Sequence, residues 1–222
     1  MKNSFKIVTC FALIFSLIFM FSTSAFASER DAVLISSTTK NTTRDYYDSN
    51  YSEVINIDGI DYQFTYYYDE LNNRCVSILN MDNFKADVIS YHNGDSTLYQ
   101  NGKYISDVVV RNFNPLVLCD TNWIYFDSAS RTISHLETLT AQAFASAVAV
   151  IIGGYCKASD VFIAVGLVGI NDIISHFESA SVESTIYKFN SNLTLQFRYD
   201  WSLTPVGGSK YGPYMTLSPI MY

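Results

Sequence analysis

Residues 134–177 read SHLETLTAQAFASAVAVIIGGYCKASDVFIAVGLVGINDIISHF. They form two apolar segments rich in small residues, joined at Gly153-Gly154. Between Glu137 and Lys157 lie 19 residues without a formal charge, and no other segment beyond the first 27 residues is so apolar. Because both segments repeat their apolar residues at helical spacing, the stretch predicts a hairpin of two helices.

Capping signals predict where these helices begin and end. Ser134 and Glu137 match the S-x-x-E capping box, which predicts a first helix over residues 136–152. Gly153-Gly154 would end that helix with a left-handed cap. Ser159 is then expected to be the N-cap of the second helix, which continues to the end of the stretch.

Sequence typical of β-strands lies on both sides of the hairpin. Before it, alternating aromatic residues and the turn signals Asp58-Gly59 and Asn101-Gly102 predict an antiparallel meander over residues 53–126. After it, residues 182–222 predict further strands, with strict alternation over 193–201. We therefore expect an α+β fold, in which an antiparallel sheet from both halves of the chain covers the central two-helix hairpin.

The chain begins with the features of a secretory signal peptide over residues 1–27. Two lysines precede an apolar run, and Ala25-Phe26-Ala27 is a typical cleavage pattern, so we expect cleavage after Ala27 and secretion. A retained anchor is the alternative, disfavoured because the run is short. Residues 28–52 are polar and predict a loosely ordered leader before a single α+β domain over 53–222.

The charge balance of the chain argues against anionic partners. Two of the 14 Lys and Arg residues and none of the 21 Asp and Glu residues lie in the signal peptide. The mature chain therefore carries 12 basic against 21 acidic residues, a net charge of −9. We expect no nucleic-acid binding, and any contact between the hairpin and a membrane should be apolar rather than electrostatic.

No residue pattern in the chain predicts catalysis. Metalloprotease, hydrolase and thioredoxin-like motifs are absent from the sequence, and we predict neither an enzyme, nor a metal site, nor a cofactor. Pairs such as Cys119 with His135, or Cys156 with His176, are conceivable. Buried thiols beside surface imidazoles explain the same residues more simply.

The mature cysteines leave two disulfide states open. Cys75, Cys119 and Cys156 cannot all pair within one chain. An exported chain of this composition could hold one bridge and a free thiol, or three buried thiols.

The hairpin itself has two interpretations, which its length helps to separate. The first predicted helix has 17 residues, or about 25 Å, against a bilayer core of about 30 Å. The second has only 11 uncharged residues between Asp160 and Asp172, too few to span. The hairpin is either the core of a soluble fold, or an element that leaves the core and inserts into a target membrane.

The same residues carry both interpretations. Alanines on the first helix favour close helix packing, and Gly166 and Gly169 would let the second helix approach them. The candidate membrane-active or core residues are Leu139, Ala143, Phe144, Ala147, Val150, Ile151, Gly153, Gly154, Phe162, Ile163, Gly166, Gly169, Ile170 and Ile173.

Four short motifs in the strand region carry a family resemblance. They are a DG-x-x-Y strand at 58–62, a Y-x-x-D-E turn at 66–70, an N-R-x-V strand at 73–76 and an L-Y-x-N-G hairpin at 98–102. In this order, before an Ala- and Gly-rich hairpin and a strand-rich tail, they resemble the large unmodified geobacillin-type bacteriocins of Gram-positive bacteria. That resemblance implies a secreted antibacterial protein acting at a target-cell envelope. The alternative is a non-catalytic binding or envelope-structural module with the hairpin as ordinary core.

Overall fold

The structure, a computed structural model, describes residues 51–92, 94–113, 115 and 122–220. All of them fall within the second of the chain's two contact-defined units, Val33–Tyr222. The predicted signal peptide lies outside the described residues, as does the predicted leader up to residue 50. Tyr51 and Ser52 belong to the first strand, which therefore extends into the stretch predicted as leader.

The first sheet is a six-stranded antiparallel meander whose strands pair in chain order. Its strands are β1 (Tyr51–Ile57), β2 (Ile60–Tyr68), β3 (Arg74–Asn80), β4 (Ala86–His92), β5 (Thr97–Gln100) and β6 (Lys103–Asp107). The turns at Asp58-Gly59 and Asn101-Gly102 have positive φ at both residues, as a favoured two-residue hairpin turn requires. Both turns are confirmed, and the meander predicted over residues 53–126 is confirmed as far as Asp107.

The second sheet has five antiparallel strands in the order β11-β10-β9-β8-β7. They are β7 (Val109–Arg111), β8 (Trp123–Ser134), β9 (Ser179–Phe189), β10 (Phe197–Pro205) and β11 (Tyr211–Leu217). The α+β class is confirmed, but the strands divide into two sheets because the chain leaves the meander after Asp107 and β7 and β8 join the C-terminal strands. Strand β10 begins only at Phe197, after the first part of the predicted alternation over 193–201.

Three helices are inserted between the neighbouring strands β8 and β9, which pair at Ser134 and Ser179. They are α1 (Ala141–Ile152), α2 (Ala158–Val165) and α3 (Leu167–His176). The predicted capping box of Ser134 and Glu137 is wrong, because Ser134 is held in the β8–β9 ladder. Residues Leu136–Thr138 form only a 3₁₀ turn, and Thr140 caps α1 by accepting a hydrogen bond from the Ala143 N–H.

The second predicted helix is divided into α2 and α3, which meet at an angle of 90°. The break lies at Gly166, whose φ of 77° and ψ of 154° are outside the helical region and accessible mainly to glycine. The start of α2 also differs from the prediction. Lys157 is the N-cap, and Ser159 lies inside the first turn because its side chain is engaged elsewhere.

Helix α1 lies in the core between the two sheets. It contacts β3 and β4 of the first sheet, β9 of the second, and both other helices. All of its residues except Gln142 are buried. Because a helix that is apolar on every side needs apolar neighbours on every side, this position accounts for the long uncharged segment. Each large side chain, such as the fully buried Phe144, contributes about 1.5–3 kcal/mol through burial.

Candidate functional site

The helical insertion holds all 14 residues predicted as membrane-active or core. Nine of them are buried: Leu139, Ala143, Phe144, Ala147, Val150, Ile151, Phe162, Ile170 and Ile173. The other five are Ile163, which is 68% exposed, and the four glycines. The hairpin therefore divides into a buried majority and a small exposed part.

The Gly153-Gly154 pair ends α1, as predicted. The Gly153 N–H donates to the carbonyl of Ala149 (3.1 Å), and both glycines have positive φ. Gly153, with φ 82° and ψ −170°, has a positive φ but lies outside the left-handed helical region, so the predicted left-handed cap is not formed there. Gly154 also packs so closely on the Tyr199 ring that a Cβ atom would collide with it. The turn is thus fixed against the second sheet.

The other two glycines do not bring α2 against an alanine surface, so that prediction is wrong. A Cβ atom at Gly166 would meet nothing within 4 Å, and one at Gly169 would lie 3.1 Å from Val165 and 3.5 Å from the Tyr211 ring. Gly166 is required for its backbone conformation. Gly169 accommodates a neighbouring side chain.

A buried carboxylate attaches α2 to the first sheet. Glu53 of β1 is only 4% exposed, and its oxygens accept hydrogen bonds from the Ser159 hydroxyl (2.6 Å), the Ser159 N–H (3.2 Å) and the Tyr66 hydroxyl (2.7 Å). The Tyr66 oxygen in turn accepts from the Ala158 N–H (2.6 Å). Burial, followed by the Glu53 charge, raises the pKa of Tyr66 well above its ordinary value, so the phenol stays protonated as a donor.

A buried guanidinium makes a second attachment to the first sheet, at the end of α1 and in the turn between α1 and α2. Arg74 of β3 is 6% exposed and donates to the carbonyls of Ala149 (3.2 Å) and Cys156 (2.9 Å). It thereby binds one carbonyl in the last turn of α1, where a cation is also favoured by the helix dipole, and one in the turn that follows α1. We call Glu53, Tyr66, Arg74 and Ser159 the polar anchor.

Two further charges flank the polar anchor. The Lys157 ammonium donates to the Tyr51 hydroxyl (2.9 Å) and lies 4.3 Å from the centre of that ring. Burial lowers the pKa of Lys157, but the Tyr51 bond and the charges of Glu53 and Asp160 outweigh it, and the net direction is upward. The Asp160 carboxylate accepts from the Lys157 N–H (2.9 Å), yet burial raises its pKa overall.

The polar anchor was missed at the sequence level, although a signal existed. Glu53 shares the inward face of β1 with Ile55 and Ile57, because residues two apart in a strand point the same way. Arg74 likewise shares a face with Val76 and Ile78 on β3. A charge at a core-facing position predicts a buried partner. The identity of the partners, which lie 106 residues from Glu53 and 75 and 82 residues from Arg74, depends on tertiary structure.

The junction of α2 and α3 forms an exposed apolar corner. We call residues 161–171 the corner; it reads VFIAVGLVGIN and contains no charged residue. Ile163 is 68% exposed and Val168 is 72% exposed, on either side of Gly166. Ala164, Val165 and Leu167 are half-buried beside them. Two apolar side chains exposed on either side of one helix break form a small candidate contact surface.

The pair of Cys156 and His176, which was considered for thiol catalysis, does not form a site. Cys156 is completely buried and lies against the Arg74 attachment, whereas His176 is exposed and paired with Asp172 (3.0 Å). Burial raises the pKa of both described thiols, that of Cys75 to about 11, so both are protonated and unreactive. Both are free of disulfides, and Cys119 lies outside the described residues.

Within the described ranges, no group of His, Cys, Asp and Glu side chains could hold a metal ion. No single helix in this part of the chain is long and apolar enough to cross a membrane, and only the bent pair of α2 and α3 meets that length and composition when its members are taken together. Comparisons with protein-family models, curated proteins and solved structures find no match to this chain.

Proposed function

We propose that the chain is a secreted, non-catalytic antibacterial protein of the bacteriocin-like kind, which acts at a target-cell envelope by placing the corner in the bilayer interface. The observation that carries this proposal is the exposure of Ile163 (68%) and Val168 (72%) in an uncharged turn. Apolar side chains on a short projecting element gain free energy when they enter the boundary between headgroups and acyl chains.

The contacts around α1 argue against release of the whole hairpin. Withdrawal of the insertion would leave the Glu53 carboxylate and the Arg74 guanidinium without their partners on α1 and α2. Each buried charge-assisted hydrogen bond that is lost costs about 1.5–3 kcal/mol. Exposure of the 11 buried residues of α1 adds to that cost. Interfacial contact by the corner needs neither step.

Charge also favours an apolar mode of contact. The mature net charge of −9 opposes approach to anionic lipid, so attraction must come from the corner. Salt screens this repulsion, and we expect binding to vesicles to strengthen, or stay constant, as ionic strength rises. A contact driven by positive charge would weaken instead.

The test uses the mature protein, residues 28–222, with vesicles of phosphatidylethanolamine and phosphatidylglycerol. We expect flotation with vesicles, release of trapped dye and inhibition of Gram-positive cells. Val168→Asp and Ile163→Asp should abolish all three while the protein stays folded. Leu193→Asp, a matched control at a site that is 83% exposed but far along the chain, should retain them. Equal activity of the three variants would overturn the role of the corner.

A non-catalytic binding or envelope-structural module is the second candidate, favoured by the burial of every residue of α1 except Gln142. In that case the purified protein neither floats with vesicles nor inhibits cells, whatever stands at positions 163 and 168. The vesicle and growth assays thus separate the two functions.

A further inference from the structure

Strand β11 is a free edge of the second sheet, because it pairs with β10 on one side only. The described ranges contain four such edge strands, β1, β6, β7 and β11. The first three each contain at least one charged residue, which is a common protection against pairing with another chain. Strand β11, with the sequence YGPYMTL, contains none. It therefore lacks this protection.

Pairing with β10 decides which backbone groups of β11 are free. The Ser218 N–H donates to the Phe197 carbonyl (2.8 Å), so these two residues face each other in a hydrogen-bonded pair. Hydrogen-bonded and non-hydrogen-bonded pairs alternate along an antiparallel ladder. Thr216 therefore also bonds to β10, whereas the N–H and C=O groups of Met215 and Leu217 point away from it. Among the residues that the structure describes, none bonds to these outward groups.

The space beside this edge is open. A cleft of about 470 Å³ is lined by residues 215–219 and, from the helical insertion, by Lys157 and Asp160. The side chain of Met215 is 58% exposed and that of Leu217 is 45% exposed. A further strand would lie about 4.8 Å from β11. The described residues leave room for it along this edge.

The outward groups of β11 match those of a second copy of the same strand. When two copies run antiparallel and Thr216 faces Thr216 of the partner subunit, Met215 faces the partner's Leu217 and Leu217 faces the partner's Met215. Both are hydrogen-bonded pairs of the new ladder, because their N–H and C=O groups point outward. Pro213 and Pro219 then face each other across the two copies, and neither has an N–H group to satisfy. One register therefore pairs the outward donors of Met215 and Leu217.

Side chains and charge also suit this pairing. Met215 and Leu217 make apolar cross-strand contacts with the partner's Leu217 and Met215. The opposite face brings the partner's Thr216 hydroxyl to the side of the strand where Lys157 and Asp160 line the cleft. Two mature chains of net charge −9 repel each other, and an uncharged strand is the edge at which close approach costs least.

We propose that the chain forms an antiparallel dimer through β11, in which the five-stranded sheets of two copies join into one continuous sheet. The interface uses no residue of the corner, so its test is independent of membrane contact. A pairing of so few residues is small, and interfaces below about 1,200 Å² bind weakly. The mature protein should therefore be monomeric at about 1 μM and mainly dimeric at about 500 μM.

Sedimentation velocity of the mature protein over this concentration range measures the dimer. Met215→Lys should raise the dissociation constant at least about tenfold, because an ammonium group must be desolvated beside the partner strand. Val206→Lys, a matched control at a site that is 61% exposed in the turn after β10, should leave it unchanged. A monomer at every concentration, or equal dissociation constants for the two folded variants, would overturn the proposal.

Disulfide cross-linking tests the register in a Cys119→Ser background. Thr216→Cys places each new thiol opposite its own copy in a non-hydrogen-bonded pair, with Cα atoms about 4.5 Å apart, which suits a disulfide. Copies of Met215 are diagonal neighbours about 7–8 Å apart, too far for one. Mild oxidation should therefore give a covalent dimer of Thr216→Cys and much less of Met215→Cys. Cross-linking of Met215→Cys alone, or of neither variant, would refute this pairing.

Discussion

Helix α1 and the corner have similar composition but opposite environments. Both are uncharged and mainly apolar, with several Val and Ile residues each, yet α1 is enclosed by two sheets and two helices, whereas Ile163 and Val168 of the corner are exposed to solvent. Hydropathy alone does not distinguish them. The difference lies in what surrounds each segment, which is set by strands distant in the chain.

The largest difference in stability between α1 and the corner is expected when one residue of each is replaced by Asp. Ala147→Asp places a carboxylate in the core without a partner, and we expect a loss of about 4–5 kcal/mol or more in the free energy of unfolding. Val168→Asp, at an exposed site, should change it by less than about 0.5 kcal/mol. Urea denaturation measures both. Similar losses in the two variants would mean that the corner is also enclosed.

Removal of the Ser159 hydroxyl tests the polar anchor. Ser159→Ala deprives the buried Glu53 carboxylate of its 2.6 Å donor, and we expect a loss of about 2 kcal/mol. The matched control is Ser175→Ala on the exposed side of α3, with an expected change below about 0.5 kcal/mol. In a Glu53→Gln background the effect of Ser159→Ala should shrink. Full additivity of the two substitutions would contradict their coupling.

Two Gly→Ala substitutions compare the packing of the turn after α1 with that of the corner, because each adds a single methyl group. Gly154→Ala drives a Cβ atom into the Tyr199 ring, and we expect a loss of about 3 kcal/mol. Gly166→Ala has open space around the added Cβ atom, so only the backbone strain of its φ of 77° and ψ of 154°, about 1–3 kcal/mol, is expected. Thermal unfolding ranks the two variants. The reverse order would show that the collision of a Cβ atom with the Tyr199 ring is not the larger cost, contrary to the close packing of Gly154.

Acid titration should reveal the buried carboxyl of Asp160. Its folded-state pKa is raised by burial above the ordinary 3.8, so this carboxyl contributes stability fully below the unfolded pKa and loses that contribution as pH rises through the folded pKa. Asp160→Asn removes this dependence. The free energy of unfolding of the wild type should therefore fall relative to that of the variant as pH rises through this acid window. Parallel pH profiles would contradict the direction.

Local signals predicted much of the fold, and long-range pairing explains what they missed. The turns at Asp58-Gly59 and Asn101-Gly102 depend on two residues each, and their chemistry is readable in sequence. The capping-box pattern at Ser134 can also be recognised in the sequence, but the box does not form because Ser134 pairs with Ser179 in the β8–β9 ladder. The break at Gly166 was also missed, because a single glycine in a helical pattern is ambiguous without its tertiary context.

The candidate site shows the same contrast between local signals and long-range contacts. Burial of nine of the 14 predicted hairpin residues agrees with the soluble-core interpretation, which rested on helix length and small residues. The polar anchor joins residues that are far apart in the chain, such as Glu53 with Ser159 and Arg74 with Ala149. The spacing of these residues along the chain does not predict that they pair.

Hydrogen exchange of the α1 amides, with and without vesicles, tests the central claim that α1 stays in the core while the corner contacts the membrane. We predict that α1 amides exchange only through global unfolding in both conditions, and that the amides of the corner gain protection when vesicles are added. Exchange throughout α1 that is faster than global unfolding when vesicles are present would contradict this prediction. It would support the hypothesis that the whole hairpin leaves the core.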